Sequence, residues 1–212
     1  MALPATGGLP ITTTFEKVSR PPESLEAFAA RMKHADSSRL GKAVEHLVAA
    51  SCILSSRAEL NVSTALVDDE GVDLVFHMRG GTATLAVQVK SRMSDPKQPT
   101  QHRFMAFVRS QTFTPRPDFH ALFALVDVER ARFDMLWLVP SSVVATLRKN
   151  RQGSYRFIAS SKEQSQDRWS SYRVRPEELH RKILTLLYEL DDEQEAVRLW
   201  RETRRKTTTE RA

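Results

Sequence analysis

A chain of 212 residues, 41% hydrophobic and 27% charged, suits one decorated domain better than two equal ones, and its composition is that of a folded soluble protein rather than a disordered or fibrous one. A formal net charge of +6 and a pI of about 9.7 point to a polyanionic partner, although excesses of this size also occur in proteins that touch no nucleic acid. One cysteine, Cys52, excludes an internal disulfide framework and fits a reducing compartment; Met1 to Pro10 lacks the basic and apolar regions of a leader, and no apolar stretch reaches the ~20 residues of a membrane span, so the chain reads as cytoplasmic with no membrane partner.

Residues 1–23 hold Pro4, Gly7, Gly8, Pro10, Pro21 and Pro22 among Ser and Thr and read as a mobile arm. The rest, 24–200, is expected to form a single domain with its core over 38–148, a helical extension over 176–200 and a basic tail over 201–212. From Glu23 to about His34, Leu25, Phe28 and Met32 fall on one side of a short helix, and Asp36-Ser37-Ser38 can cap the next one.

That next helix covers about 39–57, with Val44, Leu47, Val48, Ser51 and Leu54 as its core stripe. Glu45 borders the stripe, with Gly41, Ala49 and Cys52 above and below it. A glutamate ringed by small residues is partly screened from water, leaves room for a ligand, and holds its charge best beside a cation. The alternative is a boundary glutamate that simply reaches solvent, and His46 points to the surface. Leu60 to Val67 reads as the first strand, followed by Asp68-Asp69-Glu70 in a turn.

Gly71 to Lys90 is the most informative stretch. Two β-favouring runs flank Gly80-Gly81, a strong two-residue hairpin signal because primed turns need positive φ. With that loop as the turn, paired positions sum to 161, which sets Asp73 opposite Gln88 and Gly71 opposite Lys90. Directly opposed residues share a face, with Cβ atoms about 4.5–5.5 Å apart. Val72, Leu74, Phe76, Met78, Ala83, Leu85, Val87 and Val89 form the other, wholly apolar face, which is taken as the core side. A carboxylate, an amide oxygen and an amine thus gather at one end of the hairpin, where the rest of the face is small or neutral, as at Val75, Thr84 and Ala86. An ordinary half-exposed sheet is the bland alternative. The sharper one is an oxygen-only cradle of the kind Mg²⁺ prefers, with a lysine able to orient water or balance a phosphoryl transition state.

After Lys90, Ser91 to Arg103 has no apolar periodicity and carries Arg92, Lys97, His102 and Arg103 against Asp95. Such a loop either holds phosphates or is merely solvated. Phe104 to Thr112 is a short helix or strand carrying Arg109; Phe119 to Val128 and Arg132 to Val139 are interior strands joined by a tight turn. Pro140 to Leu147 starts a helix, Tyr155 to Ser160 reads as an edge strand, and Trp169 and Tyr172 anchor a polar segment. The last helix begins at Pro176 and buries Leu179, Ile183, Leu186, Leu187 and Leu190.

Glu45 on a helix, then Asp73, a hairpin, and Gln88-Val89-Lys90 resemble the PD-(D/E)XK nuclease superfamily, the restriction-endonuclease-like fold, and within it the Holliday-junction-resolvase-like, Mrr-like and defence-nuclease branches. The likeness covers roughly 38–92. Two departures stand out: glutamine replaces the acid on the third strand, and Gly71-Val72 stands where a proline would precede Asp73. The resemblance implies an α/β three-layer sandwich with a central mixed β-sheet flanked by helices. It also implies a Mg²⁺-dependent (or Mn²⁺-dependent) endonuclease acting on nucleic acid, DNA ahead of RNA, in defence, repair or a mobile element. In that reading Asp73, the Gln88 side-chain oxygen and the Val89 carbonyl hold the ion, Lys90 positions water, and Glu45 supports a second ion. Lys42, Ser91, Arg92, Lys97 and Arg103 are the candidate nucleic-acid contacts, and a homodimer or a partner protein encoded nearby is compatible with it. The alternative is a nuclease-like subunit that binds nucleic acid or a protein without cutting.

Overall fold

The computed structural model describes residues 37–64, 71–94 and 102–209, with side chains from 39 to 199 of those, and all of them belong to one compact unit that begins at Ser37. The expected arm over 1–23, the helix near 23–34, the acids at 68–70 and the side chains of the basic tail lie outside the described residues.

Helix α1 runs Ser37–Ser55, β1 Leu60–Thr64, β2 Leu74–Met78, β3 Thr84–Met93 and β4 Arg103–Arg109. They are followed by β5 Phe119–Asp127, β6 Arg132–Pro140, the short helix α2 Ser141–Val144, β7 Ser154–Ser160, β8 Arg173–Val174 and the long helix α3 Leu179–Thr209. Six strands form one mixed sheet in the order β1-β2-β3-β5-β6-β8, in which β3 and β5 are parallel and the other neighbours antiparallel. Parallel neighbours require the chain to cross from one end of the sheet to the other. Here the crossing carries β4, which leaves the sheet and pairs with β7 as a separate two-stranded ribbon. The segment 104–112 is therefore strand, not helix, because Phe104, Ala106 and Val108 alternate inward.

The sheet is covered on both faces. On one, Val44, Val48 and Cys52 of α1 and Leu179, Ile183 and Leu187 of α3 pack on Leu74, Phe76, Leu85, Val87, Val89 and Leu122. On the other, Phe104, Ala106, Val108, Tyr155 and Phe157 of the ribbon, together with Val144 of α2, pack on Ala86, Phe119, Ala121, Phe123 and Trp137. The result is the expected α/β sandwich around a central mixed sheet, with the ribbon sharing the second outer layer with α2. Strand β5 reads as an apolar run broken only by His120 and the terminal Asp127, because both its faces are buried. The ribbon is joined by rings: Phe157 stacks on Phe123 with centroids 3.7 Å apart and meets Trp137 and Trp169 at 6.0 and 4.5 Å.

Two expectations are corrected here. The side of the β2–β3 hairpin taken as open is a second core, since Ala86 and Gln88 are 5% and 4% exposed. Leu54, placed in the α1 core stripe, is 77% exposed, because the buried positions recur every four residues at Val44, Val48 and Cys52, and Leu54, two residues past Cys52, points away from them. Among the described residues no helix is long and apolar enough to cross a membrane.

Candidate active site

The hairpin pairs as its turn dictates from Leu74↔Val87 to His77↔Thr84, every pair summing to 161. The register stops at Asp73. Its N–H donates to the Val87 carbonyl at 3.0 Å, so Asp73 and Leu74 face one residue of β3. Two residues against one is a β-bulge, a device that re-aims a side chain. Gly71, at φ +69°, introduces the irregularity in a conformation that costs other residues about 1–2 kcal/mol. The expected oppositions of Asp73 with Gln88 and of Gly71 with Lys90 are therefore corrected. Val72 joins the second core instead of the first.

The bulge turns the Asp73 carboxylate along the edge of β3, where Oδ2 accepts the Val89 N–H at 2.7 Å. The Ala86 N–H donates toward the β5 side, to the Asp118 carbonyl. Backbone groups alternate sides along a strand, so those of Val87 and Val89 face the opposite edge. The Val89 carbonyl thus points to the edge that Asp73 occupies. Gln88 lies flat against Gly71: a Cβ at position 71 would sit 2.6 Å from Gln88 Nε2. The Oε1 of Gln88 is buried with no hydrogen-bond partner, unusual for an interior amide. Lys90, two residues on and on the same face, is half-buried, and among the described residues no carboxylate pairs with it.

Glu45 sits on the other layer. Helix α1 covers the face of Val87 and Val89, whereas Gln88 and Lys90 project from the opposite one. The Glu45 side chain is only 13% exposed and accepts from Lys42 Nζ at 2.7 Å, so Lys42 is occupied as its ion pair. Gly41 beside it has open space where a Cβ would be. Cys52, about two turns on from Glu45, is excluded as a nucleophile, because burial pushes its thiol up to about 12. Ser91 is half-buried, Arg92 donates from Nε to the Met105 carbonyl at 2.7 Å, Arg103 is exposed, and Lys97 lies outside the described residues.

Two polar residues that sequence reasoning passed over are held by long-range contacts away from that cluster. Asp191 of α3 grips the hairpin turn: Oδ1 accepts from Thr82 N at 3.0 Å, from Thr82 Oγ1 at 2.7 Å and from Ala83 N at 2.7 Å. Those bonds hold its carboxyl below the usual range, the Thr82 hydroxyl most of all. A contact spanning 109 positions leaves no local signal. His120 on β5 is the other. Burial, and then the charge of Lys182, lower its imidazole to about 4. It borders a cleft of about 540 Å³ with Tyr172, Arg173 and Arg181.

Among the described residues no three His, Cys, Asp or Glu side chains converge as a metal cage. A soft, fully liganded zinc site is therefore a poor match for this region. One carboxylate, one orphaned amide oxygen and one carbonyl suit a hard ion that keeps water and substrate oxygens in its shell, which is the habit of Mg²⁺.

No family model matches the chain, and no curated protein matches it. Eight chains among solved structures match. One of them, a bacterial homing endonuclease, is similar over 75% of this chain and 96% of its own, with 19% identity and a TM-score of 0.46.

Proposed function

We propose that this chain is a Mg²⁺-dependent endonuclease of PD-(D/E)XK type that hydrolyses phosphodiester bonds in DNA. The observation that carries the reading is the buried, unpartnered Oε1 of Gln88 on the strand whose Val89 N–H fixes the Asp73 carboxylate. Interior acceptors are almost always satisfied, and a cation is one way to satisfy this one. Asp73, Gln88 and the Val89 carbonyl would hold the ion, while Glu45, paired with Lys42 on the other layer, is left out of its shell. When bound, the ion polarises a phosphoryl oxygen and acidifies water. Asp73 is kept aligned by its bond to Val89. Lys90, on the face of Gln88, would orient the attacking water and offset charge as the phosphorane develops. Ser91, Arg92 and Arg103 continue from Lys90 toward the substrate phosphates.

The test compares wild type with Lys90→Ala on linear, supercoiled and branched DNA, with and without Mg²⁺. Wild type is expected to cut only with the metal, and Lys90→Ala to lose on the order of 10²–10³-fold in rate. Equal rates would remove Lys90 from the mechanism. A second reading, a nuclease-like subunit that binds without cutting, is favoured by the neutrality of Gln88, which leaves the ion one charge short. Gln88→Glu separates the two: cutting by the glutamate form alone would decide for binding.

A further inference from the structure

The ribbon formed by β4 and β7 turns one face into the second core and the other to solvent, in strict alternation. Its outward side presents the pairs Arg103↔Ser160, Met105↔Ile158, Phe107↔Arg156 and Arg109↔Ser154. Arg103, Arg109 and Arg156 are exposed, and Phe107 is 40% exposed, unusual for a phenylalanine. Among the described residues none of the three arginines is paired with a carboxylate.

The charge is concentrated around this ribbon. Residues 102–117 and 141–162 contain eight of the chain's 32 Lys and Arg and none of its 26 Asp and Glu; the remaining 24 cations and 26 anions sum to −2. The whole positive excess of +6 therefore resides in the two segments that build the ribbon and its flanks. Arg148 and Lys149 extend the stripe, through the bond from Arg156 N–H to the Arg148 carbonyl and the bridge between Lys149 and Tyr155. Of the acids that follow at the far end, Asp167 is engaged, accepting the Ser160 N–H and facing Arg173, whereas Glu163 meets Arg173 only through its backbone carbonyl and leaves its carboxylate in solvent.

We infer that the outer face of the β4–β7 ribbon docks into the major groove of duplex DNA. A two-stranded β-ribbon is one of the two protein elements that fit this groove, which is about 12 Å wide. Three unpaired arginines on a face with no anion are matched to phosphates and guanine edges, while Phe107 and Met105 offer apolar contact to base edges. Arg92 clamps the free edge of β4 to β3 through the Met105 carbonyl, two residues from Lys90. A duplex seated on the ribbon would therefore pass the strand that bears the proposed reactive lysine. The inference rests on the nuclease reading for the identity of the polyanion.

The experiment is fluorescence anisotropy with a labelled DNA duplex of about two helical turns, in EDTA so that nothing is cut, over a range of salt. The proteins are wild type, Arg103→Gln/Arg109→Gln/Arg156→Gln, Lys90→Ala, and Arg181→Gln/Lys182→Gln as a control on the opposite layer. The ribbon triple variant should bind at least tenfold more weakly, with the slope of log K against log salt reduced by about 2–3, near one unit per lost phosphate contact. The Arg181→Gln/Lys182→Gln control should bind within about twofold of wild type. A triple variant that binds as wild type does, with the same salt slope, overturns the ribbon assignment even if Lys90→Ala has lost cleavage. Failure of Lys90→Ala to lose cleavage while the triple variant loses binding sinks the catalytic reading alone. Duplex RNA that competes as well as DNA overturns major-groove docking, since the A-form groove is too deep and narrow to admit the ribbon. Wild type that binds no duplex overturns the inference outright. Unchanged thermal melting verifies the fold, and if the triple variant misfolds, Arg156→Glu at the middle of the face carries the same expectation.

Discussion

Gly71→Ala tests whether the bulge and the buried amide form one unit. Alanine at φ +69° is strained by about 1–2 kcal/mol whatever surrounds it. Its Cβ would also fall 2.6 Å from Gln88 Nε2. On an exposed side chain that clash would be cheap, because the amide would swing away. Gln88 is 4% exposed, so displacing its amide disturbs close-packed surroundings at about 1–2 kcal/mol more. The expected loss is about 2–4 kcal/mol, read from urea unfolding followed by circular dichroism. With Gln88→Ala already in place only the backbone cost should remain, giving a coupling of about 1–2 kcal/mol in the double-mutant cycle. Equal losses in the two backgrounds would refute the contact, and with it the argument that Gly71 exists to seat Gln88.

Two further outcomes follow from groups held outside that pair. The folded pKa of His120 lies near 4 against 6.5 when unfolded, so the unfolded chain binds more protons between these values and stability falls as pH drops through them. Between pH 7 and pH 5 the loss should be about 2 kcal/mol, and His120→Gln should flatten that part of the urea-midpoint profile. A profile unaltered by the substitution would assign the acid sensitivity elsewhere. Asp191→Ala strands two backbone N–H groups and a hydroxyl at the hairpin turn. It should cost about 1–3 kcal/mol and speed amide hydrogen exchange at Thr82 and Ala83, and unchanged exchange there would contradict the clamp.

Sequence reasoning located the hairpin because Gly80-Gly81 and strict alternation specify register locally, and Leu74 to His77 pair accordingly. It lost the register at Asp73, where the decisive fact is the positive φ of Gly71, a property of backbone and not of residue type. It left the Gln88 face open to water because the cover comes from β4 and β7, some 50 residues apart from each other and joined to the sheet only in space. A signal was present: Val75, Ala86 and Ala121 are small or apolar where a solvated face would carry charge. Glu45 was correctly read as screened, but its lysine partner one turn away, Lys42, was read as a contact for nucleic acid. The strong strands Phe119–Asp127 and Arg132–Pro140 were legible because doubly buried strands have nearly uninterrupted apolar sequence.

The rings that fasten the ribbon to the sheet have an optical consequence. Two of the chain's three tryptophans, Trp137 and Trp169, stand in that joint, both almost wholly screened from water, with the Trp169 indole N–H held by the Ile158 carbonyl at 2.6 Å. Loosening of the ribbon would wet both indoles and shift their emission to the red, while fraying of the helical layer on the other side would leave them dark to the event. With Trp200 of α3 replaced by phenylalanine, intrinsic fluorescence therefore reports one half of this molecule selectively, and its divergence from a helix-weighted signal would show the two layers parting at different concentrations of denaturant.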